Sequence, residues 1–125
     1  MNVSRNFLLI GALYLLLGML VGLFMSATQE FEIATVHAHI NLLGFAAMTL
    51  FGLTYRLVAD LAKNWMAKAH FWLHQIGALV FFVFLYLLLS ENLAESVAGP
   101  MVGIGGLLML LGTLIWTGNL WRNAA

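Results

Sequence analysis

Most of the chemistry open to this chain rests on its histidines, His37, His39, His70 and His74. Imidazole is the commonest protein ligand for a transition metal, and a frequent one for haem iron. Two of the four lie one residue apart in His37-Ala38-His39-Ile40-Asn41-Leu42-Leu43-Gly44-Phe45. That stretch reads as part of a membrane-spanning helix, where an ionisable side chain is costly and rarely idle. Residues i and i+2 of an α-helix stand about 200° apart. His37 and His39 are therefore expected to face opposite sides and not to chelate one ion together. They suit two separate sites, or one site shared between symmetry-related copies. Asn41, one turn below His37, can hydrogen-bond an imidazole or a water, and such partners fix a ligand's tautomer. Ala38, Gly44, Ala46 and Ala47 leave room for a bulky neighbour.

His70 and His74 are spaced i, i+4 and share one helix face. That spacing chelates metal in helical zinc sites. Helical rise puts this pair more than about 10 Å from His37 and His39 along the membrane normal, so no four-histidine cluster is expected. His70 is expected at the interface beside Lys68 and Trp72, and His74 deeper, near Gln75. Interfacial packing is the preferred reading of this pair, ahead of a metal site. Met25 and Met101 lie near the depth of His37, and thioether with imidazole suits Cu(I). Methionine in an apolar helix is more often packing. No carboxylate pair, phosphate-binding glycine loop or nucleophile triad is visible. Asp60 is expected to pair with Arg56 at the surface, and Tyr14, Tyr55 and Tyr86 read as ordinary membrane aromatics. The chain has no cysteine, which excludes thioether-attached haem, thiolate ligation and disulfides.

These residues need elements to hold them. The chain is 63% hydrophobic and 8% charged, against roughly 45–50% and about 25% in ordinary globular domains. Four apolar runs reach the length of a span, roughly 20 residues, at about 7–25, 33–59, 67–89 and 97–121. The expected fold is all-α, a four-transmembrane-helix bundle forming a single integral-membrane domain over 1–125. Arg5, Arg56, Lys63, Lys68 and Arg122 fall at one end of the bundle, and Glu30, Glu32, Glu91 and Glu95 at the other. The positive-inside rule then puts both termini in the cytoplasm. The first apolar run is too long for a cleaved signal and is expected to stay. Net charge is zero, and no basic patch suggests nucleic acid. Ser26 and Gln29 are spaced as a capping box opening the second helix, and Pro100 suits the first turn of the fourth. Gly18–Gly22 and Gly99–Gly103 have the spacing of closely packed transmembrane helices, either inside one bundle or between subunits.

The segment 37–45, followed by Gly52-Leu53-Thr54-Tyr55, resembles haem-ligating helices in subunit I of haem–copper oxidases and nitric oxide reductases. His70-Phe71-Trp72-Leu73-His74-Gln75-Ile76-Gly77 resembles the following helix in short proteins of that superfamily. The resemblance covers about half the chain. It implies a fold like one third of a twelve-helix core built from three sets of four helices. In that core a His-x-His pair, on the second helix of a set, holds two haems, one on either face. The role carries over to His37 and His39 alone. His70 and His74 sit at the inner end of their helix and do not match the oxidase copper site. No basic residue stands where haem propionates are usually met. Oxygen reduction does not transfer with the resemblance.

A four-helix chain regains the full core by closed assembly. In a homotrimer, His37 of one copy and His39 of the next would give two axial imidazoles to one haem b. The expectation is thus a haem-binding protein of a bacterial inner membrane, contacting the lipid bilayer and a redox partner. It would transfer electrons or bind a diatomic gas such as NO or O2; any enzymatic activity would be that of a haem-dependent oxidoreductase. The rivals are a haem-free module that binds or transports copper or another metal, and a structural membrane subunit.

Overall fold

A computed structural model describes residues 1–124. It is all-α, with four long helices: α1 (Val3–Thr28), α2 (Ala34–Leu57), α3 (Trp65–Leu89) and α4 (Glu95–Asn123). Each is long and apolar enough to cross a membrane. An even number of spans leaves the two ends of the chain on the same side.

Two of the helices, α1 and α3, start ahead of their apolar cores, where a polar residue supplies a cap. The Asn2 side chain accepts the Arg5 amide at 3.0 Å and opens α1. The Asn64 side chain accepts the amides of Met66 and Ala67 and opens α3. Each bond satisfies an amide that lacks a partner in the first turn. The expected box at Ser26 and Gln29 does the reverse of opening α2. Ser26 lies in the last turn of α1, and Gln29 adopts a left-handed φ of 58° that closes it. The Gln29 side chain folds back on the Ser26 carbonyl at 2.7 Å. Helix α4 begins at Glu95, so Pro100 stands in its second turn. The carbonyl that loses its partner there belongs to Ser96, which is exposed.

The connections are short, and each helix pairs with its chain neighbour. Helices α1 and α2 form one close hairpin, α3 and α4 the other. The second hairpin is closest where Gly77 meets Gly105. A Cβ on Gly77 would lie 2.8 Å from the Gly105 carbonyl oxygen. Only residues without side chains permit that approach.

The two hairpins meet through rings. Phe7 of α1 packs on Phe71 of α3 (5.0 Å between centroids), and Phe51 of α2 on Trp116 of α4 (4.9 Å). Phe7, Met48 and Leu61 are fully buried there. Outside, Leu13, Leu20, Leu23, Leu50 and Leu114 are each more than half exposed. So continuous an apolar surface suits lipid or another subunit.

Helix α2 is not α-helical throughout. Ile40–Ala46 forms a π-helical turn, and the Ala47 amide reaches back five residues to the Leu42 carbonyl. The buried positions explain why. Val36, Ile40, Gly44, Met48 and Gly52 recur at every fourth residue. In an α-helix that spacing drifts by about 40° per step. The wider π turn absorbs the drift and keeps the row facing inward.

The charged residues gather as the sequence indicates. Arg5 is in the first turn of α1, Arg56 in the last of α2, Lys68 in the first of α3 and Arg122 in the last of α4. Asp60 does not pair with Arg56. Helix α2 ends at Leu57, and Asp60 lies in a 3-10 turn, Ala59–Ala62. It bonds Lys63 at 2.6 Å instead. The Lys63 ammonium holds the Asp60 carboxyl below its ordinary range.

Candidate functional site

His37 and His39 stand in the N-terminal part of α2, just before the π turn, and leave it in different directions. His37 Nδ1 lies 2.9 Å from the Gly18 carbonyl of α1. His39 Nδ1 lies 2.8 Å from the Thr35 carbonyl in its own helix, and its ring packs on Phe81 of α3 at 5.2 Å. One imidazole faces the first hairpin's groove, the other faces the second hairpin. Both are half-buried.

A carbonyl can only accept, so each Nδ1 carries its hydrogen and donates it. Each Nε2 is then the lone-pair nitrogen. This is the pattern of an imidazole ligand, whose second nitrogen is tied to a carbonyl that fixes its tautomer and orientation.

Asn41 holds the same corner. Its Nδ2 donates to the His37 carbonyl at 3.0 Å and lies 3.4 Å from His37 Nδ1. The Gly18–Gly22 spacing of α1 is used here, inside the chain. A Cβ on Gly22 would lie 3.0 Å from His37 Cε1, and one on Gly18 2.8 Å from Asn41 Cγ. These two glycines seat the histidine and the asparagine. Gly103 of α4 has nothing within 4 Å of its Cβ position.

His70 departs from expectation. It is fully buried, with 0% exposure, while Trp72 is 56% exposed. Its helix face, not its distance from the end, decides this, because Ala67, Phe71 and His74 share that face and all point inward. The Tyr55 hydroxyl lies 2.9 Å from His70 Nδ1. Tyr55 therefore partners a histidine and is not only an interfacial aromatic.

His74 is also buried, and its Nε2 donates to the Leu43 carbonyl at 3.1 Å. Leu43 lies in the π turn. The Ala47 amide takes the Leu42 carbonyl, one residue beyond the Leu43 carbonyl it would take in an α-helix. His74 supplies a donor to that Leu43 carbonyl. The two imidazoles of α3 lie 6.0 Å apart. Gln75 does not join them; its amide lies against Met48 Sδ at 3.5 Å.

Asn119 of α4 went unnoticed in the sequence. It is fully buried. It donates to the Leu61 carbonyl at 3.0 Å and accepts from Asn64 at 2.8 Å and Asn123 at 2.9 Å. An amide in an apolar helix, four residues from another, is the signal that marks it.

Two cavities open into the bundle. One, of about 430 Å³, lies at the acidic end beside Glu30, Glu32, Glu91 and Tyr86. The other, of about 240 Å³, is wholly apolar and lies between Tyr14, Val36 and Phe82. Neither is lined by a histidine. Among the described residues no three histidine or carboxylate side chains converge as a metal site. Neither cavity would enclose a bulky cofactor at His37 or His39. No family model, curated protein or solved structure matches this chain.

Proposed function

We propose that this chain is an integral membrane protein that binds haem b between copies of itself, through His37 of one copy and His39 of the next. It would transfer electrons with a redox partner or bind a diatomic gas. The observation that carries the reading is the matched state of the two rings. Each has Nδ1 tied to a backbone carbonyl, at 2.9 and 2.8 Å, which leaves Nε2 as the nitrogen for an iron once the Asn41 amide, 3.5 Å from His37 Nε2, turns aside. Their opposed directions give each copy one ligand for each of two neighbours. A closed ring satisfies every such ligand, and the resemblance to one third of subunit I favours a homotrimer. The basic end would face the cytoplasm of a bacterial inner membrane, which places both ligands toward the outer face.

The donor set fits haem iron, since neutral imidazole on each side is a recognised electron-transfer ligation. Bound haem supplies an iron that cycles by one electron. The residues do the rest. The Gly18 and Thr35 carbonyls hold the rings, and Asn41 steadies the His37 turn.

The test is the absorption spectrum of protein purified from haem-sufficient cells, or reconstituted with haem. A Soret band is expected, and should be lost in the double variant His37→Ala, His39→Ala while the helical content persists. A haem spectrum unchanged in that variant would sink the proposal. A second reading makes the histidines ties between helices, as the His37 bond to Gly18 and the His74 bond to Leu43 illustrate. It expects a folded, colourless protein that takes up no haem.

A further inference from the structure

Three buried ring nitrogens near the inner half of the bundle have no partner within the protein: His70 Nε2, His74 Nδ1 and Trp116 Nε1. Their rings all pack on one side chain. Phe51 lies 4.4 Å from His70, 5.2 Å from His74 and 4.9 Å from Trp116, between centroids. Orphaned polar atoms in such a core are rare, and each calls for a partner.

Their hydrogens identify that partner. The indole N–H of Trp116 can only donate. His74 spends its hydrogen on the Leu43 carbonyl, so its Nδ1 can only accept. His70 shares Nδ1 with the Tyr55 hydroxyl. If the hydroxyl accepts there, His70 Nε2 is an acceptor; if it donates, Nε2 is a donor. The guest must therefore accept from Trp116, donate to His74 and do either with His70. A metal ion or ammonium cannot accept from the indole. A halide cannot donate to His74. A diatomic gas has no hydrogen to give. Water meets all three demands in either state of His70.

Size and spacing agree. The side-chain nitrogens concerned are inaccessible at the surface, so the guest is one small enough to be enclosed in the packed core. Two hydrogen bonds of about 2.9 Å through one water span up to about 5.8 Å. The ring centroids of His70 lie 6.0 Å from His74 and 6.3 Å from Trp116, and nitrogens on the ring edges can approach more closely.

We propose that Trp116, His74 and His70 bind a single internal water that links α3 to α4 beside the π turn of α2. The site is independent of haem at His37 and His39. It would join Tyr55, His70, His74 and the Leu43 carbonyl into one hydrogen-bonded chain through an otherwise apolar layer.

The experiment is nuclear magnetic resonance of the full chain in lipid nanodiscs, with 15N in histidine and tryptophan. The Trp116 indole hydrogen is expected to show a cross-peak to water, and His74 to carry its hydrogen on Nε2. In the double variant His70→Phe, His74→Phe the water cross-peak should be lost while the Trp116 signal remains. Absence of the cross-peak in the unaltered chain would overturn the proposal, as would a His74 protonated at Nδ1. So would a change in the His70 and His74 signals on adding a chelator, which would make the guest a metal ion. The first two readouts need no variant, so an unfolded variant leaves the test intact.

Discussion

His74 of α3 donates a hydrogen bond to the Leu43 carbonyl of α2 at 3.1 Å, and that carbonyl is the one the Ala47 amide would take in an α-helix but passes over for Leu42. The bond ties the second hairpin to the first at the point where the first departs from α geometry. Such turns gather at functional positions, and this one lies directly below His37 and His39. His74→Phe keeps a ring in place but removes the donor. The carbonyl then loses the only side-chain donor it meets in the structure. Thermal unfolding in detergent should show a loss of about 1–3 kcal/mol. A variant as stable as the parent would mean that Leu43 finds another donor.

Haem ligation by neighbouring copies has its own signature. If each iron takes His37 from one chain and His39 from the next, His37→Ala and His39→Ala are equivalent in effect. Each leaves one imidazole per iron. Both should convert a low-spin, six-coordinate spectrum to a high-spin one, read by electron paramagnetic resonance. A variant pair in which only one substitution matters would break the shared pocket.

Asn119 ties the turn after α2, the start of α3 and the end of α4 together through Leu61, Asn64 and Asn123. Asn119→Leu is nearly isosteric and leaves the Leu61 carbonyl and the Asn64 amide without it. A destabilisation of about 1–3 kcal/mol is expected, measured by chemical denaturation in micelles. Tyr55→Phe should cost less, about 1 kcal/mol, because it removes one bond to His70.

Two glycines of α4 separate packing within the chain from contact outside it. A Cβ on Gly105 would lie 2.6 Å from the Phe81 amide nitrogen, backbone that cannot turn aside, whereas Gly103 has open space. Gly105→Ala should lower the melting temperature, at a cost of about 1–3 kcal/mol for overpacking. Gly103→Ala should leave it unchanged. If Gly103→Leu lowers the mass measured by light scattering, that open face joins copies.

Asp60 and Lys63 are both largely exposed. The lowered Asp60 carboxyl contributes stability at neutral pH, which is lost as pH falls through its folded value. Solvent screens the pair, so Asp60→Asn should leave the melting temperature unmoved at pH 7.

The four spans were legible because apolar runs of that length have one common meaning. The divergence of His37 from His39 was legible too, since both lie before the π turn, where α periodicity holds. The turn itself was not legible: Val36, Ile40, Gly44, Met48 and Gly52 stand out from the other apolar residues of α2 only once their burial is known, and only then does a spacing of four conflict with α geometry. What stayed hidden depends on contacts between distant segments. Nothing around His70 says that Tyr55 waits opposite it. The burial of Asn119 follows from where the loop carrying Leu61 folds back. Ser26 and Gln29 have the spacing of a helix start, but Gln29 takes the left-handed backbone that ends one.

The π turn also lets α2 carry one residue more than α geometry would at the same rotation. Deleting one residue from Ile40–Ala46 would restore α bonding and leave the segments on either side at their present bearings, closer by about 1.5 Å. His37 would keep its side of the helix at Gly22, and His39 its side at Phe81. What the loss of a single codon would remove is the open Leu43 carbonyl that His74 meets, so the surplus residue serves the joint between the hairpins and not the aim of the two imidazoles.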